Sequence, residues 1–199
     1  MTVVWFLQQL PFVHKTEGKY IVTERNLFSL GYWSTIWVEK HRFNGGACMD
    51  ARYTNSEGNF SLRSAALVIE RDRVLLAKSD VHDCFYTMGG CIEQNEASNN
   101  AVLRECLEET GYHFEIDRLV FVQERFYTAE NMPHHEITFF YLMKKNNFEL
   151  HSGVHTDQNN EHLYWIPIEE LETMNIAPAF LRKELKCIPT KVTHIISYE

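Results

Sequence analysis

The stretch from Gly90 to Tyr112, GCIEQNEASNNAVLRECLEETGY, constrains this chain more than any other. Between Glu96 and Glu109 it carries four glutamates, one arginine and no proline, and a glycine stops the run at Gly111. Ala, Val, Leu and Cys recur at helical intervals, which predicts a helix from Ala97 to Thr110 with Gly111 as its C′ residue. At 3.6 residues per turn, Glu105, Glu108 and Glu109 stand at i, i+3 and i+4, on one side. Like charges so placed repel, and a helix that needed only solubility would intersperse lysines. This one has none. Three clustered carboxylates with nothing to neutralise them ask for a cation, and oxygen-only donors favour a hard one, Mg2+ or Mn2+.

The spacing of Gly90, Glu96, Arg104, Glu105, Glu108, Glu109 and Gly111 resembles the Nudix box, G-x5-E-x7-R-E-U-x-E-E-x-G-U, in which U is bulky and apolar. Cys106 and Tyr112 fill the two U positions. Seven fixed positions are far more specific than a lone glycine motif; the bland alternative for a charge run is a solvated acidic face. The resemblance runs from Met49 almost to the end. It implies an α/β fold, a Nudix-type α/β/α sandwich with a mixed β-sheet and the box as loop, helix and loop. Periodicity alone gives only α+β or α/β. One departure stands out: the family commonly places proline before the paired glycines, whereas this chain has Met88, which predicts a looser loop.

Composition narrows the classes. With 199 residues, 45% of them hydrophobic, the chain can bury one good core and carry an extension. A net charge of −8 without a basic stripe argues against a nucleic-acid polymer as partner. No apolar run approaches the ~20 residues of a membrane span. The five cysteines (48, 84, 91, 106 and 187) show no CxxC pair, which fits reduced thiols and a cytoplasmic location.

Residues 1–48 differ from the rest. They hold the aromatic clusters VVWFLQQLPFV and LFSLGYWSTIWV, and five Lys/Arg against three Asp/Glu, where the remainder has fourteen against twenty-four. The shift near Gly45-Gly46 predicts a boundary, with a hydrolase domain over 49–199. The first 48 residues read as an upstream-extended start or an appendage; a docked extension or an arm forming a homodimer is the competing reading.

Strands are expected at Ser64–Glu70 and Val74–Lys78, joined as a hairpin by the polar turn Arg71-Asp72-Arg73, and at Cys84–Met88. Further strands are expected at Leu119–Phe126, Ile137–Met143, Leu163–Pro167 and Thr193–Ser197. A polar loop holding Pro133, His134 and His135 should join the first two of these. Ile168–Met174 and Pro178–Leu185 read as helical.

The resemblance also implies a chemistry: divalent-metal-dependent hydrolysis of a diphosphate in a small nucleoside diphosphate derivative. Glu105 and Glu109 are the expected first ligands, with Glu108 sharing the ion and a carbonyl of Gly89 or Gly90 completing the shell. Arg104 is expected to orient a catalytic glutamate. Glu96, placed near the helix start where the dipole favours a carboxylate, is expected to be structural rather than a ligand. The general base falls to Glu105 itself, to Glu161 or to Glu136. Arg63 and Arg125 are candidates for substrate phosphates, against ordinary surface pairing. Phe85, Tyr86, Phe126 and Tyr127 are candidates for stacking on a base or ribose, against core packing. Zinc at His134-His135 or His151/His155 is disfavoured, because adjacent strand residues point opposite ways and no cysteine framework surrounds them. The rival to catalysis is a Nudix-fold module that holds a nucleotide without cleaving it. Recognition is expected in loops 79–88, 128–135 and 151–162.

Overall fold

Two strands of this chain are apolar on both faces, and that makes a three-layered sandwich. The computed structural model describes residues 49–80, 83–144 and 161–199, with the backbone of residues 12–16, 19–23, 35–38 and 154–155. The chain divides into two units, Met1–Ala47 and Cys48–Glu199. In the first, strands β1 (Phe12–Thr16), β2 (Lys19–Thr23) and β3 (Thr35–Val38) pair antiparallel in that order. The upstream-start and arm readings of residues 1–48 otherwise lie outside the described residues.

The second unit runs β4 (Arg52–Asn55), β5 (Gly58–Leu67), β6 (Ile69–Glu70), β7 (Arg73–Ser79), β8 (Phe85–Tyr86), β9 (Gly89–Cys91) and α1 (Ser98–Thr110). There follow β10 (Ile116–Ala129), β11 (Met132–Met143), β12 (Val154–His155), β13 (Glu161–Pro167), a 3-10 turn (Ile168–Thr173), β14 (Ile176–Ala177), α2 (Leu181–Glu184) and β15 (Thr193–Tyr198). One sheet is ordered β15-β10-β11-β5-β4, with β9 sharing the edge of β5; the other is β12-β13-β7-β8-β14, with β6 on β7. Both are mixed: β5 runs parallel to β11, β15 to β10 and β14 to β8, and the remaining pairs are antiparallel.

Alternation decides which side each residue serves. Ala66 and Val68 with Leu75 and Ala77 join Val102 and Cys106 of α1 in one core cluster. Ala65 and Leu67 with Val74 and Leu76 join Leu171 of the 3-10 turn and Leu181 of α2 in the other. Strands buried on both faces read as the continuous apolar runs AALV and VLLA. Burying each valine or leucine of these runs is worth roughly 1.5–3 kcal/mol, so helices on both sides are where the sheets find their partners.

The structure also redraws several expected boundaries. The strand over 64–70 breaks at Val68, where the chain passes from one sheet to the other, so the tight hairpin is β6–β7, turned by Arg71 and Asp72 at φ 50 and 57. The polar loop expected around Pro133, His134 and His135 is strand: β10 and β11 form one long hairpin closed by Glu130-Asn131, both at positive φ. Hydrophobic spacing misses this extension because its residues are polar and half-buried. The expected helix over Pro178–Leu185 is the single turn Leu181–Glu184. Met88 is tied down on the approach to the glycine pair: its side chain is buried in the α1-side core and its carbonyl accepts the Ala66 N–H at 2.9 Å.

Candidate active site

Helix α1 ends as its sequence requires, with Gly111 at φ 73 donating its N–H to Leu107 O at 2.8 Å. Ala101, Val102 and Cys106 face the core, whereas Tyr112, at the second apolar position of the box, is exposed. The three glutamates do not share one environment. The Glu105 side chain is 12% exposed and lies against Gly90, whereas that of Glu108 is 42% exposed on the rim.

Arg104 organises them. Its Nε and Nη2 donate to the two oxygens of Glu96 at 3.0 and 2.9 Å, and Nη2 also reaches Cys91 O at 3.1 Å. Its Nη1 donates to Glu105 Oε1 at 2.8 Å and to Glu108 Oε2 at 3.3 Å. The planar guanidinium thereby ties the loop before the helix to the carboxylates on it. Glu96 precedes the capping residue Ala97, and its Oε2 also accepts the Glu93 N–H at 3.0 Å. It serves Arg104 and the loop instead of the helix N-terminus. Burial acts to raise the Glu96 carboxyl, but its bonds to Arg104 and Glu93 hold it below the usual range.

Glu109 is the anomaly. Its Oε1 accepts the Gly89 N–H at 3.2 Å, and its Oε2 is buried with no hydrogen-bond partner. Burial, helped by the charges of Glu105 and Glu161, pushes its carboxyl up to about 8. Burial raises Glu105 as well, against the pull of Arg104. A buried carboxylate oxygen without a donor is costly, and a hard cation is the partner such an oxygen lacks.

The glycine pair splits its duties. Ala66 N–H bonds Met88 O and Ile92 N–H bonds Leu62 O, so by antiparallel alternation Gly90, opposite Ser64, belongs to the ladder. Gly89 then turns both polar groups away from β5, its N–H toward Glu109. Of the two carbonyls considered from the sequence, that of Gly89 is therefore the one left open. The donor set fits a divalent cation in kind, although among the described residues no three His, Cys, Asp or Glu side chains converge as a cage. Arg104 holds one oxygen each of Glu105 and Glu108.

Beside Gly89 lies a cleft of 640 Å³ that also takes in Arg63, Tyr86, Arg125, Tyr127, Glu136 and Thr138. Arg63 Nε stands 3.6 Å from Glu136 Oε2, and Ser61 and Thr138 hydroxyls donate to the same carboxylate. Tyr86 donates its hydroxyl to Glu161 Oε1 at 2.6 Å. Arg125 is bound by Glu199 and lies over the Tyr127 ring, 4.3 Å from its centroid. Two stacking candidates fall elsewhere. Phe85 packs edge-on to Tyr164 beside the α2-side core, because successive strand residues point to opposite faces. Phe126 lies in an aromatic row on the other face of its sheet, stacked between His135 and Tyr198. His134 stacks instead on Tyr127, so the adjacent histidines do point apart. His151 and the side chain of His155 lie outside the described residues.

Ser61, Thr138 and Glu199 were not legible as site residues. Nothing marks them in sequence, and only the register of β5, β11 and β15 brings Thr138 into the cleft, Ser61 onto its Glu136 and Glu199 onto its Arg125. The recognition loop expected at 128–135 is the closed end of the β10–β11 hairpin, and most of 151–162 lies outside the described residues.

The fold has known counterparts. A MutT mutator protein from Bacillus halodurans superposes with a TM-score of 0.58 at 18% identity, covering 69% of this chain and 89% of that one. A MutT Nudix hydrolase from Burkholderia pseudomallei aligns at TM-score 0.46 and 23% identity over 55% and 84% of the two chains. An ADP-ribose pyrophosphatase from Streptococcus suis aligns at 0.45 and 14% over 69% and 98%. No curated protein matches the sequence. Residues 61–185 match the model of the NUDIX domain, a span that holds the box, its glycine loop and both core-facing helices; this chain belongs to the Nudix hydrolase family.

Proposed function

We propose that the chain hydrolyses the diphosphate linkage of a nucleoside diphosphate joined to another group, with Mg2+ or Mn2+ held by Glu105 and Glu109. Glu108 shares the ion from the rim, and the Gly89 carbonyl is the backbone donor. The observation that carries this reading is the buried, partnerless Oε2 of Glu109 next to a second carboxylate of raised pKa. When bound, such an ion neutralises phosphate oxygens and acidifies water. The chain does the rest. Arg104 fixes the direction of Glu105; Arg63 and Arg125 receive the non-bridging phosphate oxygens, and Tyr127 offers a ring face to the base or ribose. Glu161 is the general base, positioned by the Tyr86 hydroxyl on its Oε1 and close enough to Glu109 to act on its charge.

The substrate class in order of preference is ADP-ribose or a nucleotide sugar, then an oxidised nucleoside triphosphate, then a dinucleoside polyphosphate. The deciding experiment incubates the full chain with each and with Mg2+ or Mn2+, recording product masses. Nucleoside monophosphate or phosphate release that stops with EDTA and returns with metal supports the reading. The competing reading, a nucleotide-holding module without turnover, has one observation in its favour: Arg104 occupies an oxygen of each of two expected metal ligands, Glu105 and Glu108. Binding of these compounds with no product under any metal would establish it instead.

A further inference from the structure

Arg125 is a cleft residue whose anion comes from its own chain. On the sheet it sits opposite Glu136 of β11 and Ser197 of β15. Glu136 is already engaged by Arg63, Ser61 and Thr138. The carboxylate on Arg125 is that of Glu199, which continues the β15 path by donating its N–H to Phe126 O at 2.8 Å.

The geometry of that pair is poor for what Arg can do. Nε and Nη2 both donate to a single oxygen, Oε2, at 3.1 and 2.8 Å. A guanidinium fork is best satisfied by two oxygens of one group, the arrangement a phosphoryl group offers with more charge. The pair is also a partition. Arg125 borders the 640 Å³ cleft, Glu199 borders a neighbouring groove of 580 Å³, and Tyr127 lines both. A pair this near solvent contributes about 0.2–1 kcal/mol, so an incoming dianion can displace it.

We propose that Glu199 is a specificity-determining residue: its carboxylate stands in for a substrate phosphoryl group on Arg125, and only ligands carrying such a group evict it. This rests on the hydrolase reading for its biological ligand but not for its test. Inorganic pyrophosphate is titrated calorimetrically into the full chain in EDTA at fixed ionic strength. Glu199→Gln should bind roughly threefold tighter than the parent. Arg125→Gln should bind more weakly, and adding Glu199→Gln to it should change nothing further. Glu199→Asp, one methylene shorter, keeps the charge but loses the contact, and should resemble Glu199→Gln.

Equal affinity in parent and Glu199→Gln overturns the proposal. So does tightening that persists without Arg125, or a Glu199→Asp that behaves like the parent, since either would mean a general charge effect. Melting curves confirm that each variant is folded, and the partly exposed Asp variant serves if the Gln variant is not. Because binding is read without turnover, tightening in a chain inert toward every diphosphate would remove the hydrolase reading alone.

Discussion

Glu105 rests on Gly90 so closely that a Cβ there would stand 2.6 Å from its Oε2 and nearer still to Oε1. Gly90 is thus glycine for the sake of a carboxylate, whereas Gly89 is glycine for the sake of the backbone: at φ 134 its Cβ would meet Ser64 O and stand 2.8 Å from Ala65 Cα. Gly90→Ala should fold, at a cost of about 1 kcal/mol as the flexible glutamate swings aside, and lose turnover at least tenfold. Gly89→Ala should lose on the order of 3 kcal/mol of stability. Urea unfolding beside product assays checks both, and equal stability losses would contradict the division of roles.

Arg104→Lys tests whether geometry or charge matters. An ammonium keeps the charge but cannot hold Glu96, Cys91 O and Glu105 together. The expected outcome is a loss of about 2 kcal/mol with a fall in kcat near a hundredfold. A lysine variant with the parent's urea midpoint and rate would show the fork to be dispensable.

The metal-free protein should weaken as pH rises. The Glu109 carboxyl is held up to about 8 in the fold against an ordinary 4.5. Between those values the folded state keeps a proton that the unfolded chain has released, so the contribution of this carboxyl is full below pH 4.5 and is lost as pH rises to 8. The full effect is on the order of 5 kcal/mol. Urea midpoints in EDTA at pH 5.5 and 8 should show the decline. Glu109→Gln should flatten it, and so should saturating Mg2+, which binds the ionised form. A midpoint that rises with pH would refute the burial assigned to Glu109.

Glu161→Gln should lower kcat about a hundredfold at little change in KM. Tyr86→Phe, which removes only the hydroxyl that orients Glu161, should cost less, about fivefold. Glu136→Gln should act chiefly on KM, because Glu136 is the carboxylate that holds Arg63. If the kcat loss follows Glu136 instead, the base assignment moves to it.

What the chain by itself determined is local and periodic. The helix Ser98–Thr110, its glycine stop and the grouping of Glu105, Glu108 and Glu109 follow from spacings within a few turns, and such spacings are visible in one dimension. The hydrolase family is carried by the same short stretch. Tertiary structure decided which carboxylates are buried, because exposure depends on what lies across from the helix: Gly90 against Glu105, Gly89 against Glu109, open rim beside Glu108. It also decided that Phe85 turns to the core while Tyr86 meets Glu161, a matter of strand register that one residue of slip would invert. The pairing of Arg125 with Glu199 joins residues 74 positions apart. No spacing rule reaches that far; only the parallel docking of β15 on β10 brings the two together.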